Sequence, residues 1–313
     1  MKRFIVYSIL FSNTLLLIFI GIELLLFLRP NTYSYKHEYV ETHINDIQVL
    51  LFGNSHIENA LKPNLMGDGV FNFAIAGRNL IYDIELAKKH LPNMGNLKVV
   101  VMPLDYISFY LGRETSNRRE LGKDRRFLPN TFKCMYYKYM GIRIDEPFYW
   151  SEILNSNQNY MSRFWQNDED ARGCDSLGYS RLKLEERVVG WEYSYLPNKI
   201  NSNKKIDKEK YEQLYQGYRV FANLASKHDA RLVLLGTPMY KTCQELMNKD
   251  VEKEILVFVN ELQSEYPNVE YYDFTYDNRF KPNDFYNSSH LTDLGAEKFS
   301  KIVAEIINAP FPI

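Results

Sequence analysis

Two short stretches of the chain carry residue types that together could perform nucleophilic chemistry. The first is Gly53-Asn54-Ser55-His56, which puts a serine in a tight, glycine-containing turn. The second is a polar loop near the C-terminus that contains His290. A serine becomes nucleophilic when a base takes its proton, and His290 is the best candidate among the six histidines. We therefore predict Ser55 as nucleophile and His290 as general base, against the alternative that Ser55 only caps a helix.

A nucleophilic serine also needs hydrogen-bond donors for the negative charge that develops on the attacked carbonyl oxygen. The backbone N–H of Ser55 can be one donor if a helix begins at this residue. Gly77, in Ala76-Gly77-Arg78-Asn79, can be a second, because a residue without a side chain lets its N–H approach a substrate closely. We predict an oxyanion hole made by Ser55 and Gly77, with Asn79 as a further candidate donor.

Alternating strands and helices are predicted to hold these residues in place. The apolar runs that indicate buried strands are 47–52, 70–75, 97–102, 231–236 and 269–274. The stretches with helical spacing are 80–90, 208–227, 251–265 and 292–307. This alternation predicts a three-layer α/β/α domain with a parallel, doubly wound, flavodoxin-like sheet. Ligands of such sheets bind at the carboxyl ends of the strands, where the serine turn and the Gly77 turn both fall.

The N-terminal stretch from Phe4 to Leu28 is apolar apart from Glu23. A helix of this length can cross the hydrocarbon core of a membrane. Lys2 and Arg3 precede it, which favours a cytoplasmic N-terminus and a body outside the membrane. We predict an uncleaved, single-pass signal anchor of a bacterial-type inner membrane, with a cleaved signal peptide as the alternative. Glu23 is either a functional charge or, as we prefer, lies near the interface or pairs with another helix.

Three further regions follow the predicted transmembrane segment at 4–28. Residues 29–46 are polar and aromatic and are interpreted as a linker. Residues 47–313 form the α/β domain, and within it 106–203 breaks the alternation and is interpreted as an insertion or cap. The insertion contains all three tryptophans, Trp150, Trp165 and Trp191. Their rings could bind sugars, or they could form the core of the cap itself.

Composition excludes several classes of protein. The chain has 313 residues, with 38 Lys and Arg against 39 Asp and Glu, so it lacks the excess positive charge expected of a nucleic-acid-binding protein. Its three cysteines are widely spaced and form no CxxC pair, which argues against a zinc finger or a dense disulfide framework. We predict no cofactor, no metal and no nucleic-acid partner, since a serine mechanism needs none of these.

Together these stretches resemble the SGNH or GDSL-type serine hydrolases. The block around Ser55 matches the nucleophile block of that family, and Gly77 in Asn72-Phe-Ala-Ile-Ala-Gly77 matches its oxyanion glycine. The segment from Phe285 to Ala296 is similar to the block that carries the catalytic histidine. The membrane-anchored layout is most similar to the branch of alginate O-acetyltransferase-like and teichoic-acid D-alanylation-type envelope proteins. The likeness implies the predicted fold and an acyl-serine mechanism.

The sequence departs from the family pattern at two positions. The catalytic aspartate of the family is replaced by Asn287, whose carbonyl can still orient an imidazole but carries no full charge. Asp284, three residues earlier, is the alternative orienting residue. After the third strand the family supplies an oxyanion asparagine, whereas this chain has Asp105, which would repel an oxyanion. Asn79 is our candidate replacement.

Three functions of different classes follow from these observations. The first is a membrane-anchored serine esterase or O-acyltransferase that forms an acyl-serine on an acylated cell-envelope glycan or another ester, with a membrane acyltransferase as possible partner. The second is a catalytically degenerate domain of the same fold that binds a glycan or a partner protein. The third is a tethered structural protein whose motifs are coincidental. Reaction of Ser55 with a fluorophosphonate probe distinguishes the first from the other two.

Overall fold

The computed structural model describes residues 1–111, 131–144, 150–155, 165–194 and 208–310. The chain divides into two compact units. One unit combines Met1–Tyr35 with Arg118–Gly173, and the other combines Lys36–Asn117 with Cys174–Ile313. The second unit carries the sheet and every residue that we predict to be catalytic, so it is called the sheet unit below.

A five-stranded parallel sheet forms the centre of the sheet unit. Its strands are β1 (Val49–Leu51), β2 (Val70–Asn72), β3 (Val99–Pro103), β4 (Arg231–Gly236) and β5 (Val269–Asp273). They lie in the order β2-β1-β3-β4-β5, and every neighbouring pair is parallel. This is the flavodoxin-like order, whose chain reverses direction across the sheet between β1 and β3. The predicted fold class is confirmed.

Helices account for much of the remaining described chain. They are α1 (Lys2–Leu28), α2 (Thr32–Thr42), α3 (Ser55–Glu58), α4 (Leu80–His90), α5 (Tyr106–Leu111), α6 (Thr131–Met140), α7 (Glu152–Asn155), α8 (Asp168–Arg172), α9 (Lys208–Ser226), α10 (Lys241–Gln244), α11 (Lys249–Glu265) and α12 (Asp293–Asn308). Short 3-10 turns lie at Pro63–Leu65, Leu91–Asn93, Leu184–Glu186, Trp191–Tyr193 and Pro282–Asp284. Helix α4 has the predicted bounds, and α9, α11 and α12 differ from the predicted bounds by no more than two residues at either end.

Strands β1 to β4 are buried on both faces because helices cover both sides of the sheet. On one face, Leu51 and Val101 belong to an apolar cluster that includes Phe299 and other residues of α12. On the other face, the Phe52 ring meets the Phe221 ring of α9, with their centroids 5.1 Å apart. All five side chains are fully buried. The result is the three-layer arrangement expected from the alternation of strands and helices.

The segment 29–46 differs from its interpretation as a linker. Most of it is helix α2, and two of its side chains pack firmly on the sheet unit. The Tyr39 ring stacks on Phe71 at a centroid distance of 4.0 Å, and Lys36 is fully buried beside Glu58. The polar composition did not predict this packing. Hydropathy places a lysine at the surface, whereas a lysine with an ionic partner can be buried.

The insertion at 106–203 also differs from the expected single cap. Residues Arg118–Gly173 belong with the N-terminal helix, whereas Cys174 and the residues after it belong to the sheet unit. Parts of this region lie outside the described residues. A single polar group of α1 gives a physical reason for the division, because its partners come from the insertion.

That polar group is Glu23, which is buried despite lying in an otherwise apolar helix. Its carboxylate lies 2.8 Å from the Lys138 ammonium of α6 and accepts hydrogen bonds from the Ser151 hydroxyl at 2.5 Å and the Ile153 N–H at 3.0 Å. Glu23 therefore pairs with another helix, as we preferred. The 27 residues of α1 span about 40 Å, and the helix is long and apolar enough to cross a membrane.

We predict that Lys138→Met destabilises the unit that contains α1. The substitution leaves the Glu23 carboxylate buried without its cation, which typically costs about 3 kcal/mol or more. The double variant Glu23→Gln, Lys138→Met removes both charges and should regain much of the loss. Thermal unfolding and limited proteolysis of detergent-solubilised protein measure the effect. A Lys138→Met protein as stable as the wild type would contradict the prediction.

Candidate active site

The turn after β1 holds Ser55 at the carboxyl end of the sheet. Gly53 has a φ of +121°, and a Cβ atom at this position would lie 2.5 Å from the Pro103 ring, so only glycine fits. Asn54 then caps α3, its side-chain oxygen accepting the His56 N–H at 2.9 Å. Ser55 is the first residue of α3. The capping residue is therefore Asn54, and the Ser55 hydroxyl is left for another contact.

That contact is with His290. The Ser55 Oγ lies 2.8 Å from the His290 Nε2, within the range needed for proton transfer. His290 lies in the loop between β5 and α12 and is largely buried. The two residues are 235 positions apart in the sequence, so the fold itself brings them together.

Asn287 lies at the other nitrogen of the His290 ring. Its side-chain oxygen accepts the backbone N–H groups of Ser289 and His290 at 3.0 and 2.9 Å, which identifies this atom as the oxygen and not the nitrogen. The same oxygen lies 3.0 Å from His290 Nδ1, so Nδ1 carries the proton and donates it. The lone pair of Nε2 therefore faces Ser55, which is the tautomer that a general base requires.

Asp284 is not brought to the His290 ring. Its carboxylate accepts the Lys281 N–H at 2.7 Å and forms an ion pair with Lys298 of α12. The prediction that Asp284 could orient the histidine is therefore corrected. The side chain instead ties the 3-10 turn before the histidine loop to the last helix, and Asn287 takes the orienting position.

The Gly77 turn follows β2 and has a defined geometry. It is closed by a hydrogen bond from the Arg78 N–H to the Ile75 carbonyl at 3.0 Å, and Gly77 has a φ of +73°. Only glycine adopts this conformation without strain at the third position of such a turn. The turn fixes the direction of the Gly77 N–H. Participation of Ser55 and Gly77 in an oxyanion hole stays a prediction.

Asn79 begins α4. Its side-chain oxygen accepts the Ile81 N–H at 3.2 Å, which is the contact of a helix cap. This capping role accounts for an asparagine at the position by itself. The use of Asn79 as an additional oxyanion donor stays a prediction.

A buried ion pair supports the loop that precedes Gly77. Lys36 of α2 donates to a Glu58 carboxylate oxygen at 2.9 Å and also to the carbonyl of Ala74. The other oxygen of Glu58 accepts the Ala76 N–H at 2.6 Å. Both charged side chains are almost completely buried. Glu58 also lies in α3 with Ser55, so one carboxylate connects the nucleophile helix to the Gly77 turn.

A second histidine lies at the site and was not among the residues predicted from the sequence. The ring of His56, the sequence neighbour of Ser55, lies 5.0 Å from the His290 ring and nearly perpendicular to it. Its Nδ1 lies 2.5 Å from a carboxylate oxygen of Asp105. Asp105 follows β3 and Ser55 follows β1, on either side of the point where the strand order reverses. This shared location is the signal that could have identified the pair.

Asp105 is held by three donors. Besides His56, the Thr237 hydroxyl after β4 donates to it at 2.8 Å and the Ser108 N–H of α5 at 2.7 Å. Burial by itself would raise the pKa of Asp105, but His56 and the two other donors keep this pKa below its usual value. The carboxylate is therefore ionised, and the strand ends of β1, β3 and β4 meet at a buried negative charge.

His290 is neutral in this environment. Burial and then the neighbouring His56 lower the pKa of His290 to about 3, against an opposing effect of the Asp105 carboxylate. The amide of Asn287 has no charge with which to stabilise the protonated ring. The His290 ring is thus a neutral hydrogen-bond acceptor for Ser55 at neutral pH.

Trp191 packs in the core beside the histidine loop. It is buried, its ring centroid lies 4.7 Å from that of Tyr240, and the Arg187 guanidinium lies 4.1 Å above it. For Trp191 the structure thus favours the packing alternative over a sugar-binding surface. In the other unit, Trp150 is 46% and Trp165 is 86% exposed.

Among the described residues, one group has side chains that could ligate a metal ion, namely His37, Glu41 and His90. The Lys89 ammonium lies 3.3 Å from both His37 Nε2 and a Glu41 carboxylate oxygen. A cation of the protein itself therefore already contacts two of the three possible ligands. These residues lie on α2 and α4, and none of them contacts Ser55 or His290.

We predict that Lys36→Met lowers the stability of the sheet unit by about 3 kcal/mol, because it leaves Glu58 buried and unpaired. The double variant Lys36→Met, Glu58→Gln keeps a side-chain oxygen that can accept the Ala76 N–H and removes the charge. It should therefore recover most of the loss. Chemical denaturation measures both effects, and equal destabilisation by the single and double variants would refute the role of the charge.

We also predict that the reaction of Ser55 with esters stays active at acidic pH. Because the lowered pKa keeps His290 neutral, kcat/KM should not fall until the pH approaches about 3 to 4, far below the usual histidine value near 6.5. Asn287→Asp places a carboxylate at Nδ1, which raises the pKa of the ring and moves the acidic loss of activity toward neutral pH. Profiles of kcat/KM for p-nitrophenyl acetate, with circular dichroism at each pH as control, measure this shift. A wild-type profile that falls near pH 6.5 would exclude His290 as the neutral base.

This chain is similar to solved structures, but it matches no family model and no curated protein. Among solved structures, a provisionally named platelet activating factor from Streptococcus pneumonia is 14% identical over 96% of this chain and 98% of its own, with a TM-score of 0.45. A provisionally named acylhydrolase from Bacteroides fragilis NCTC 9343 is 10% identical over 83% of this chain and 86% of its own, with a TM-score of 0.39. Identities and TM-scores this low add nothing to the fold that the five-stranded sheet establishes or to the contacts at Ser55 and His290.

Proposed function

We propose that this protein is a serine esterase or O-acyltransferase of the SGNH type, which acts through an acyl-Ser55 intermediate. The observation that carries the proposal is the 2.8 Å contact between Ser55 Oγ and His290 Nε2. The orientation of His290 by the Asn287 oxygen supports it, since this contact leaves the lone pair of Nε2 facing the serine.

The proposed reaction begins when His290 accepts the Ser55 proton and the serine oxygen attacks the ester carbonyl. The backbone N–H groups of Ser55 and Gly77 stabilise the negative charge on the carbonyl oxygen, with Asn79 as a further candidate. Loss of the alcohol leaves the acyl group on Ser55. Water or a sugar hydroxyl then takes the acyl group, which makes the enzyme a hydrolase or a transferase respectively.

We infer an acylated cell-envelope glycan as substrate and a location at the outer side of the inner membrane. The apolar helix α1, preceded by Lys2 and Arg3, supports a single-pass anchor with the body in the periplasm or outside the cell. The resemblance to envelope O-acetylation and D-alanylation proteins supports the substrate class. A membrane acyltransferase that delivers the acyl group would be the corresponding partner.

A second candidate function is glycan or partner binding without turnover. Asn287 favours it, because an amide stabilises an imidazolium less than the aspartate of the family does. The two candidates differ in one property, which is the reactivity of the Ser55 hydroxyl.

We predict that a fluorophosphonate probe labels Ser55 in the purified protein and that p-nitrophenyl acetate is hydrolysed. Ser55→Ala should abolish the labelling and lower hydrolysis at least about 10³-fold, and His290→Ala should lose nearly as much because the two residues act as a unit. Peptide mass spectrometry locates the label. His228→Gln, which alters a histidine in the turn that follows α9, is the matched control. A folded wild-type protein that is neither labelled nor active would favour the binding function.

A further inference from the structure

The two histidines beside Ser55 have different hydrogen-bond partners at their Nδ1 atoms. His290 is oriented by a neutral amide, and its Nε2 contacts the serine. His56 is oriented by the Asp105 carboxylate through its Nδ1. A serine hydrolase with a single base needs only the first of these, so the second requires its own explanation.

The Nε2 atom of His56 is available to a substrate. Within the described part of the chain it accepts or donates no hydrogen bond, and it is not one of the buried polar atoms that lack a partner. The 4% of His56 that is exposed therefore includes this atom. The ring centroids of His56 and His290 are 5.0 Å apart, so the His56 ring lies beside the ring that contacts the Ser55 hydroxyl.

His56 is also the direct partner of Asp105, because its Nδ1 lies 2.5 Å from a carboxylate oxygen of that buried side chain. Among the described residues, the other titratable side chains that feel the Asp105 charge are His290, Cys243, Tyr218 and Tyr271. His290 is neutral because burial lowers its pKa. Burial raises the pKa values of the other three, to about 12 for the Cys243 thiol, so they too are neutral at pH 7. A positive partner stabilises a buried carboxylate, and the imidazole in direct contact with Asp105 is that of His56.

We propose that His56 is a second catalytic residue, which exchanges protons with the alcohol of the donor and of the acceptor while His290 exchanges them only with Ser55. Asp105 and Thr237 are positioning residues that hold the His56 ring. This inference rests on the proposed function and assigns one proton carrier to the serine oxygen and another to the donor and acceptor oxygens.

In the first half-reaction, His290 Nε2 takes the Ser55 proton as the serine oxygen bonds to the acyl carbon. When the bond between that carbon and the donor alcohol breaks, His56 Nε2 gives its proton to the departing oxygen. The site then contains acyl-Ser55, a protonated His290 and a neutral His56. One proton has left His56 and one has reached His290.

The second half-reaction reverses these roles. Neutral His56 takes the proton of the acceptor water or sugar hydroxyl as the acceptor oxygen bonds to the acyl carbon. The bond to Ser55 breaks, and protonated His290 returns a proton to the serine oxygen. Both rings regain their starting states, and the net reaction is acyl transfer from donor to acceptor.

This division of labour explains why an amide suffices at position 287. Before acylation and again in the acyl-enzyme, the two rings together carry one positive charge, because over the half-reaction one ring gains a proton and the other loses one. In the acyl-enzyme His290 is charged and the neighbouring His56 is neutral, so the repulsion from His56 that lowers the pKa of His290 is absent in that state.

The test compares donor esters that differ in their need for an acid. Nitrophenolate leaves without a proton, whereas an alkoxide needs one, so His56→Gln should slow acylation by ethyl acetate by about 10² to 10³-fold. The loss with p-nitrophenyl acetate should be at least about ten times smaller. The dependence of kcat/KM on the pKa of the leaving group, measured over a series of aryl and alkyl acetates, should therefore become steeper than in the wild type.

Two further variants keep the test decisive if His56→Gln is unstable through its unpaired carboxylate. The double variant His56→Gln, Asp105→Asn leaves no unpaired charge and should show the same steep dependence, and His228→Gln should match the wild type. Equal losses on aryl and alkyl esters, or no loss, would overturn the role of His56 while leaving Ser55 as nucleophile. Activity that persists in Ser55→Ala would instead overturn the proposed function itself.

Discussion

The buried carboxylate of Asp105 is the constraint around which the site is organised. A negative charge in the interior is tolerated only when donors surround it, and here they come from the segments after β1, β3 and β4. Removing any one of them leaves the charge partly unsatisfied. The three strand ends are therefore held in one relative position, and that position determines where Ser55 lies.

The short helix α3 connects Ser55 to two buried polar contacts. Its four residues place Ser55 at the reaction centre, His56 against Asp105 and Glu58 against Lys36. One side of the helix turn is thus fixed by the carboxyl ends of β3 and β4, and the other side by α2 and the loop after β2. The buried contacts of His56 with Asp105 and of Glu58 with Lys36 lie on opposite sides of a single turn and leave Ser55 little freedom to move.

Much of the fold could be predicted from the sequence because the strands are continuous apolar runs and the long helices have clear amphipathic spacing. The serine turn and the histidine loop could be located because both follow strands of a parallel sheet. The burial of Lys36 and the direction of His56 could not, since each depends on a partner distant in sequence. The same reason applies to the insertion, whose partition follows from the contacts of Glu23 with Lys138 and Ser151.

The asymmetry between Asn287 and Asp105 has a further consequence for the chemistry. Carboxylates at both positions would favour the protonated form of both rings, and the site would then have no neutral base for the serine. Amides at both positions would favour two neutral rings, and the site would have no acid for the departing alcohol. In the proposed mechanism, the amide holds the neutral imidazole that takes the Ser55 proton, and the carboxylate holds the imidazole that donates to the departing alcohol. In this mechanism Asn287 is the complement of Asp105, and the amide and the carboxylate form one arrangement.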